Sequence, residues 1–189
     1  HPDLARPGQQ LDALPSDAWL VVVDNASTCE TFLQLQQRLA NRPKTHLISN
    51  NSNEGLAKAL NQGADYASTH IDSTRYLLLM DQDSVPFQNA IERLLAAHAE
   101  LERGGHPVGC VGPRLIDMGT GLQHGFHRIK GWRWVRVYPA EEDRTPVSCS
   151  NLNGSGTLLK AELFQELGGL DETFFIDHGD TEWAFRVLA

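Results

Sequence analysis

Residues 77–84 read Leu-Leu-Leu-Met-Asp-Gln-Asp-Ser, an apolar run that stops at two carboxylates. The run predicts a buried strand that ends at Asp81. Because residues two apart on an extended chain point to the same side, Asp81 and Asp83 can converge on one hard cation such as Mg²⁺ or Mn²⁺. The alternative is that Asp83 and Ser84 only cap the following helix. Their position directly after a buried strand favours the metal site.

Strand and helix signals alternate on either side of this run. Short apolar runs predict strands, and apolar residues that recur on one face predict helices. Two helix starts carry local signals, a capping box of Ser27 with Glu30 and a proline, Pro86, in a first turn. The predicted strands cover 18–23, 45–49, 75–80 and 108–111, and the predicted helices cover 28–40, 54–68 and about 86–101.

This alternation implies right-handed crossovers and an α/β fold with a mostly parallel sheet flanked by helices. Ligands of such sheets bind outside the carboxyl ends of the strands. The acidic motifs Asp24-Asn25 and Asp81-Gln82-Asp83 both fall at such ends. We therefore expect the ligand site in the first half of the chain, residues 1–113.

The second half, residues 114–189, has a different pattern. Its stretch 119–147 is rich in Gly, Trp and Arg and predicts a hairpin or a mobile excursion. A strand at 155–159, a helix at 161–167 and a last helix from about Asp180 follow. No linker divides the chain, so we expect a single domain over 1–189.

Three further motifs have both a functional and a structural interpretation. Asp24 can accept a hydrogen bond from a pyrimidine N–H, or can serve the turn after its strand. The loop 50–55 leads into a helix N-terminus, which favours phosphate, or is a plain connection. Residues 174–183 place carboxylates and a histidine beside aromatic residues. There Asp180 is a candidate general base, with an N-cap as the alternative.

The histidines and tryptophans of the 119–147 stretch have plainer interpretations. Gly125 argues against a helical metal pair of His124 and His127, so these are interpreted as surface-loop histidines. Trp132 and Trp134 are interpreted as packing the hairpin, and a sugar-stacking platform is the alternative.

Composition limits the classes of partner. A net charge of −8 and a pI of about 5.4 argue against a nucleic-acid partner but not against a nucleotide held with a divalent cation. Three scattered cysteines suggest neither a disulfide framework nor zinc, and they fit a reducing, cytoplasmic setting. No apolar run reaches the ~20 residues of a membrane span.

Taken in order, the motifs resemble the inverting GT-A glycosyltransferases of family 2, and among these the bacterial rhamnosyltransferases that use a dTDP-sugar. Singly each motif is weak, but their order and spacing are specific, and they cover nearly the whole chain. They are Val-Val-Val-Asp-Asn-Ala-Ser at 21–27, Asn-x-Gly-Leu-Ala-x-Ala-Leu-Asn-x-Gly at 53–63, the 77–84 run, Val-Gly-Pro-Arg at 111–114, Asn-Gly-Ser-Gly at 153–156, and Gly-Gly-Leu-Asp-Glu-x-Phe-Phe-Ile-Asp-His-Gly-Asp-Thr-Glu-Trp at 168–183.

The resemblance implies a Rossmann-like GT-A fold and roles for individual residues. Asp24 matches the residue that contacts the pyrimidine, Asp81 the one near the ribose and diphosphate, and Asp83 the metal ligand. Asp180 matches the general base, and residues 114–189 form the half that carries the acceptor and this base. The other expected donor residues are Asn25, Asn53 and Gly55, and the expected acceptor-side residues are Ser155, Asp177, Glu182 and Trp183.

The implied reaction moves a sugar, in the first instance rhamnose, from a nucleoside diphosphate to a glycan or lipid-linked acceptor with inversion. The implied cofactor is Mg²⁺ or Mn²⁺, and the implied setting is the cytoplasm at the inner face of a bacterial membrane, by peripheral association. The donor alternatives are UDP-sugars such as UDP-galactofuranose.

The likeness has departures. The family's first strand and C-terminal elements have no counterpart here, so we expect a chain truncated at both ends. Gly179 stands where many relatives have an acidic residue before the base. One alternative is therefore a nucleotide-binding fragment without activity. Another is a haloacid-dehalogenase-type phosphatase, but the further Asp that such a fold needs is missing at Ala184 and Phe185.

Overall fold

The computed structural model describes residues 5–140, 142–176 and 178–189. The alternation predicted for the first half is confirmed, and α1 is an element that the periodicity does not predict. In chain order the elements are α1 (Ala5–Ala13), β1 (Leu20–Asn25), α2 (Cys29–Leu39), β2 (Thr45–Asn50), α3 (Leu56–His70), β3 (Tyr76–Leu79), α4 (Ala90–Arg103), β4 (Cys110–Val111), β5 (Phe126–Lys130), β6 (Arg133–Val137), β7 (Thr157–Lys160), α5 (Ala161–Glu166) and α6 (Gly179–Leu188).

The strands pair in three groups. β1 and β2 are parallel, with Asp24 opposite Ser49, as the βαβ pattern predicts. β7 lies between β3 and β4 and is antiparallel to both, so β3 and β4 are parallel to each other. The strand–helix alternation does not predict the direction of β7, because a hairpin instead of a crossover helix precedes it.

That hairpin lies in the stretch 119–147, for which the composition predicts a hairpin or a mobile excursion, and the hairpin is confirmed. β5 and β6 pair antiparallel from Phe126 with Val137 to Lys130 with Arg133. Trp132 is at the tip and is 93% exposed. Trp134 packs edge-on to Phe185 of α6, with ring centroids 6.3 Å apart, which fixes the hairpin beside that helix.

The core lies between β7 and the helices α3, α5 and α6. Leu159 of β7 is fully buried, and Ala57 lines the core side of α3. Phe164 of α5 and Trp183 of α6 pack with ring centroids 5.9 Å apart. Burial of Trp183 therefore anchors the helix on whose first turn Asp180 lies.

The local signals predicted for two helix starts are wrong, although α2 (Cys29–Leu39) matches its predicted range of 28–40. α2 is capped by Thr28, whose Oγ1 accepts from the Thr31 N–H at 3.3 Å, so Ser27 and Glu30 form no capping box. The Ser27 N–H instead donates to the carboxylate of Asp24. α4 begins at Ala90 and not at Pro86, because the backbone of Asn89 is in the left-handed region (φ 60°) and a continuous helix cannot pass through it.

None of the helices within the described ranges combines the length and the apolar character that a membrane crossing requires.

Candidate active site

The acidic motif after β3 is held in place through its backbone. The Asp81 N–H donates to Ser155 Oγ at 3.2 Å, and the Asp81 carbonyl accepts from Gln10 Nε2 at 2.6 Å. Ser155 precedes β7 and is buried, and Gln10 belongs to α1. Elements from both halves of the chain therefore position this turn.

Three carboxylates meet near this turn. Burial, and then the charges of Asp83 and Asp180, raise the pKa of Asp81 above its ordinary value. Among the described residues none of the three forms an ion pair with a basic side chain. The site therefore has an excess of negative charge that a bound cation would relieve.

The residues present fit a divalent cation that takes only a few of its ligands from the protein. Within the described part of the chain, no group of three or more His, Cys, Asp or Glu side chains encloses a metal site. Magnesium, however, is commonly held by one or two carboxylates together with phosphate oxygens of the substrate. Asp81 and the exposed Asp83 supply such a pair.

Asp180 is fixed at the start of α6 by two backbone N–H groups. Its Oδ2 accepts from the Gly154 N–H at 3.0 Å, and its Oδ1 accepts from the Thr181 N–H at 2.7 Å. His178, in the left-handed region (φ 71°), directs the chain into the helix. Asp180 is half-buried and lines two separate cavities.

Asp81 and Asp180 both line the larger cavity, which has a volume of about 300 Å³. Asn153 and Gly154 also line it, and Trp183 closes part of its wall. The Trp183 indole N–H is buried and has no hydrogen-bond partner among the described residues. This cavity thus joins Asp81, at the end of β3, to the candidate base, and Asp83 is not among its lining residues.

The smaller cavity, of about 180 Å³, lies between the hairpin and the segment before β7. His124, His127, Arg136 and Asn151 line it together with Asp180. The sequence does not indicate Arg136 or Asn151 as site residues, and its pattern favours surface-loop positions for the two histidines. No local motif indicates this cluster, because its members come together only when the hairpin folds over residues 151–153.

The predicted donor residues Asn25 and Asn53 lie in a polar network at the ends of β1 and β2. Asn25 Nδ2 donates to Asn53 Oδ1 at 2.8 Å and to the Gly55 carbonyl at 3.1 Å. Asn25 Oδ1 accepts from Asn50 Nδ2 and from the Glu54 N–H. These amides are therefore used to shape the loop that precedes α3, and their contact with a nucleotide stays a prediction.

Replacement of Asn25 is expected to lower the stability of the fold. Asn25→Ala removes four hydrogen bonds, which should lower the free energy of unfolding by about 1–3 kcal/mol. Urea denaturation measures the change. Asn51→Ala is the matched control, because Asn51 is exposed in the same loop and should change stability by less than about 0.5 kcal/mol. Equal effects of the two substitutions would contradict the role of Asn25.

The remaining predicted donor residues lie nearby. Asp24 is 6% exposed, and its Oδ2 accepts from the Ser27 N–H at 3.2 Å, which is the turn interaction considered as an alternative. Gly55 is buried against Phe175, and the next residue, Leu56, donates its N–H to the Phe175 carbonyl at 2.7 Å. The donor-side loop therefore contacts the segment that leads to Asp180.

The residues predicted for the acceptor side lie in different surroundings. Ser155 and Trp183 are 3% exposed, and each lines one of the two cavities. Glu182 forms two short hydrogen bonds with Arg186, at 2.6 and 2.7 Å, and Arg186 also donates to the Gly169 carbonyl. Glu182 thus stabilises α6. Asp177 lies outside the described residues.

Comparison with known proteins gives the following similarities. The family model for glycosyl transferase family 2 matches residues 11–168. The dTDP-rhamnosyl transferase RfbF of Shigella flexneri is 33% identical over 172 residues, which are 91% of this chain and 54% of that protein. An N-acetylglucosaminyl-diphospho-decaprenol L-rhamnosyltransferase of Mycobacterium tuberculosis is 25% identical over 191 residues, with 89% of this chain and 60% of that protein covered.

The fold is shared with a solved structure. The crystal structure of GalNAc-T7 with UDP, GalNAc and Mn²⁺ superposes with a TM-score of 0.66 and 20% identity, over 95% of this chain and 36% of the other. This likeness confirms the fold class that the sequence resemblance implies. The chain spans little more than half the length of the two curated relatives.

Proposed function

Because the chain belongs to glycosyl transferase family 2, we propose that it transfers a sugar from a nucleoside diphosphate to an acceptor hydroxyl, with inversion. The observation that carries the proposal is the position of Asp180, which lines both the cavity with Asp81 and the smaller cavity beside it. A base between two cavities can face a donor in one and an acceptor in the other. Family membership leaves the phosphatase alternative without support.

The names of the relatives support rhamnose as the sugar. The Shigella flexneri relative is named a dTDP-rhamnosyl transferase, and the Mycobacterium tuberculosis relative is named for transfer to a lipid-linked diphosphate sugar. We therefore favour dTDP-rhamnose as donor and a glycan or lipid-linked acceptor, with a UDP-sugar as the alternative donor. A lipid-linked acceptor would place the reaction at a membrane surface, which we propose is the inner, cytoplasmic face.

The donor side would be held at the carboxyl ends of β1 and β3. Asp24 would accept from the pyrimidine N–H, and Asp81 would lie near the ribose and diphosphate. Asp83, with Asp81, would hold Mg²⁺ or Mn²⁺, and the solved structure of GalNAc-T7 with UDP and Mn²⁺ supports this choice of ion. When bound, the ion supplies positive charge that stabilises the leaving diphosphate.

The acceptor hydroxyl would lose its proton to Asp180. The N–H groups of Gly154 and Thr181 hold the two carboxylate oxygens, so the side chain meets the hydroxyl in one orientation. Burial of Trp183 anchors the same helix and so helps to keep Asp180 in this orientation.

Loss of the metal ligand tests the donor site. Asp83→Ala is expected to weaken dTDP binding about tenfold or more in the presence of Mn²⁺, because the diphosphate then faces uncompensated carboxylates. Isothermal calorimetry with and without EDTA measures the affinity. Asp65→Ala, which removes an exposed carboxylate from α3, is the matched control. Unchanged dTDP affinity in Asp83→Ala or in EDTA rules out the metal assignment.

A further inference from the structure

The tip of the β5–β6 hairpin exposes a large aromatic side chain on a tight turn. Gly131 (φ 64°) and Trp132 join the two strands in a two-residue turn that begins with a glycine in the left-handed region. Trp132 is 93% exposed, so the packing predicted for it against the hairpin is wrong. Ile129 and Trp134, which pair just below the turn, are also exposed. The hairpin therefore holds a largely apolar tip in solvent.

The same hairpin carries only positive charge. Residues 126–137 contain four basic side chains and no acidic one, in a chain whose net charge is −8. Lys130 and Arg133 lie directly opposite each other in the ladder, where like charges destabilise the pair. Neither forms an ion pair with a carboxylate among the described residues. An anionic surface beside the tip would relieve this repulsion.

The size of the tip favours a lipid bilayer over a folded protein as the partner. A stable protein interface buries about 800 Å² on each partner and involves roughly 20–30 residues of each. The continuous exposed stretch of the hairpin covers only residues 129–134. A tryptophan between two cations suits the headgroup layer, because its ring is apolar, its N–H can stay in water and the cations can meet lipid phosphates. Shallow insertion of a few side chains is enough for weak, reversible binding.

The other end of the hairpin lies at the candidate site. His127 and Arg136 pair there and line the smaller cavity together with Asp180. At about 3.4 Å per residue, the turn lies roughly 14 Å along the hairpin from this pair. Insertion of the tip to a depth of about 5–10 Å would therefore bring the cavity close to the membrane surface.

We propose that residues 129–134 dock the chain on an anionic lipid surface, with Trp132 in the headgroup layer and with Lys130 and Arg133 against the lipid phosphates. The membrane setting proposed above names no element that touches the lipid, and this tip would be that element. Docking depends on the hairpin alone, so it can be present or absent whether or not the chain transfers a sugar.

Co-sedimentation with vesicles tests this docking surface. The chain is mixed, without donor or metal, with vesicles of equal parts phosphatidylglycerol and phosphatidylcholine, or with vesicles of phosphatidylcholine alone. We expect the wild-type chain to partition about tenfold or more strongly onto the anionic vesicles. Trp132→Ala, and separately the double variant Lys130→Gln with Arg133→Gln, should each lower this partitioning about tenfold, because they remove the inserted ring or the two cations.

Two matched controls lie elsewhere on the surface. Trp19→Ala removes another exposed tryptophan, and Arg93→Gln with Arg103→Gln removes the same charge from exposed positions of α4. Partitioning of both should stay within about twofold of the wild type, because charges farther than about 8–10 Å from the lipid are screened.

Three results would overturn the docking surface: no partitioning of the wild-type chain, equal partitioning onto neutral and anionic vesicles, or equal losses in the tip variants and the controls. Self-association without vesicles that Trp132→Ala abolishes would instead assign the tip to a second copy of the chain, and would also overturn it. Because the vesicle measurement contains no donor, its result is independent of dTDP binding and of sugar transfer.

Discussion

Asparagine in place of Asp180 is expected to lower sugar transfer by about 10²–10⁴-fold, the usual contribution of a general base, while dTDP affinity stays within about twofold. The amide has the size of the carboxylate but does not accept the acceptor proton. Transfer is measured by release of dTDP from dTDP-rhamnose in the presence of acceptor, and donor affinity is measured by calorimetry.

Asp180 also has a structural role, and the experiment must separate it from the catalytic one. Its two oxygens accept from the backbone N–H groups of Gly154 and Thr181, and an amide keeps only one acceptor. Asp171→Asn is the matched control, because the Asp171 carboxylate similarly accepts from the Thr173 N–H and hydroxyl but lines neither cavity. Transfer at the wild-type rate in a folded Asp180→Asn variant would show that another group removes the proton.

The sequence predicts the donor half of the site because its residues follow strands. The parallel pair of β1 and β2 and the carboxylates at the ends of β1 and β3 depend on local period and on the geometry of crossovers. α1 escapes prediction because Pro7 and Gly8 argue against a helix, although proline is tolerated in a first turn.

The acceptor half is less predictable, because its residues meet through long-range folding. Arg136 is exposed on a hairpin strand, and Asn151 lies in an irregular segment. No periodicity relates these two positions to Asp180. The packing of Trp134 on Phe185 brings the hairpin to α6, and the bridge between His127 and Asn151 joins it to the segment before β7.

The loop before α3 also depends on a contact with residues that are distant in sequence. Gly55 has φ 88° and ψ 163°, a region that essentially only glycine occupies. A Cβ at this position would lie 2.7 Å from the Phe175 carbonyl oxygen and 2.8 Å from its Cδ2. The donor-side loop and the segment before α6 can therefore touch only if this residue has no side chain.

Gly55→Ala is accordingly expected to lower the free energy of unfolding by about 2–5 kcal/mol, because backbone strain and a backbone clash add. Urea denaturation measures the change. Gly105→Ala separates the two contributions, since Gly105 has φ 77° but open space around it, and should cost only about 1–2 kcal/mol. The difference between the variants measures the contact with Phe175, so equal losses would show that this contact does not hold the loop against the segment leading to Asp180.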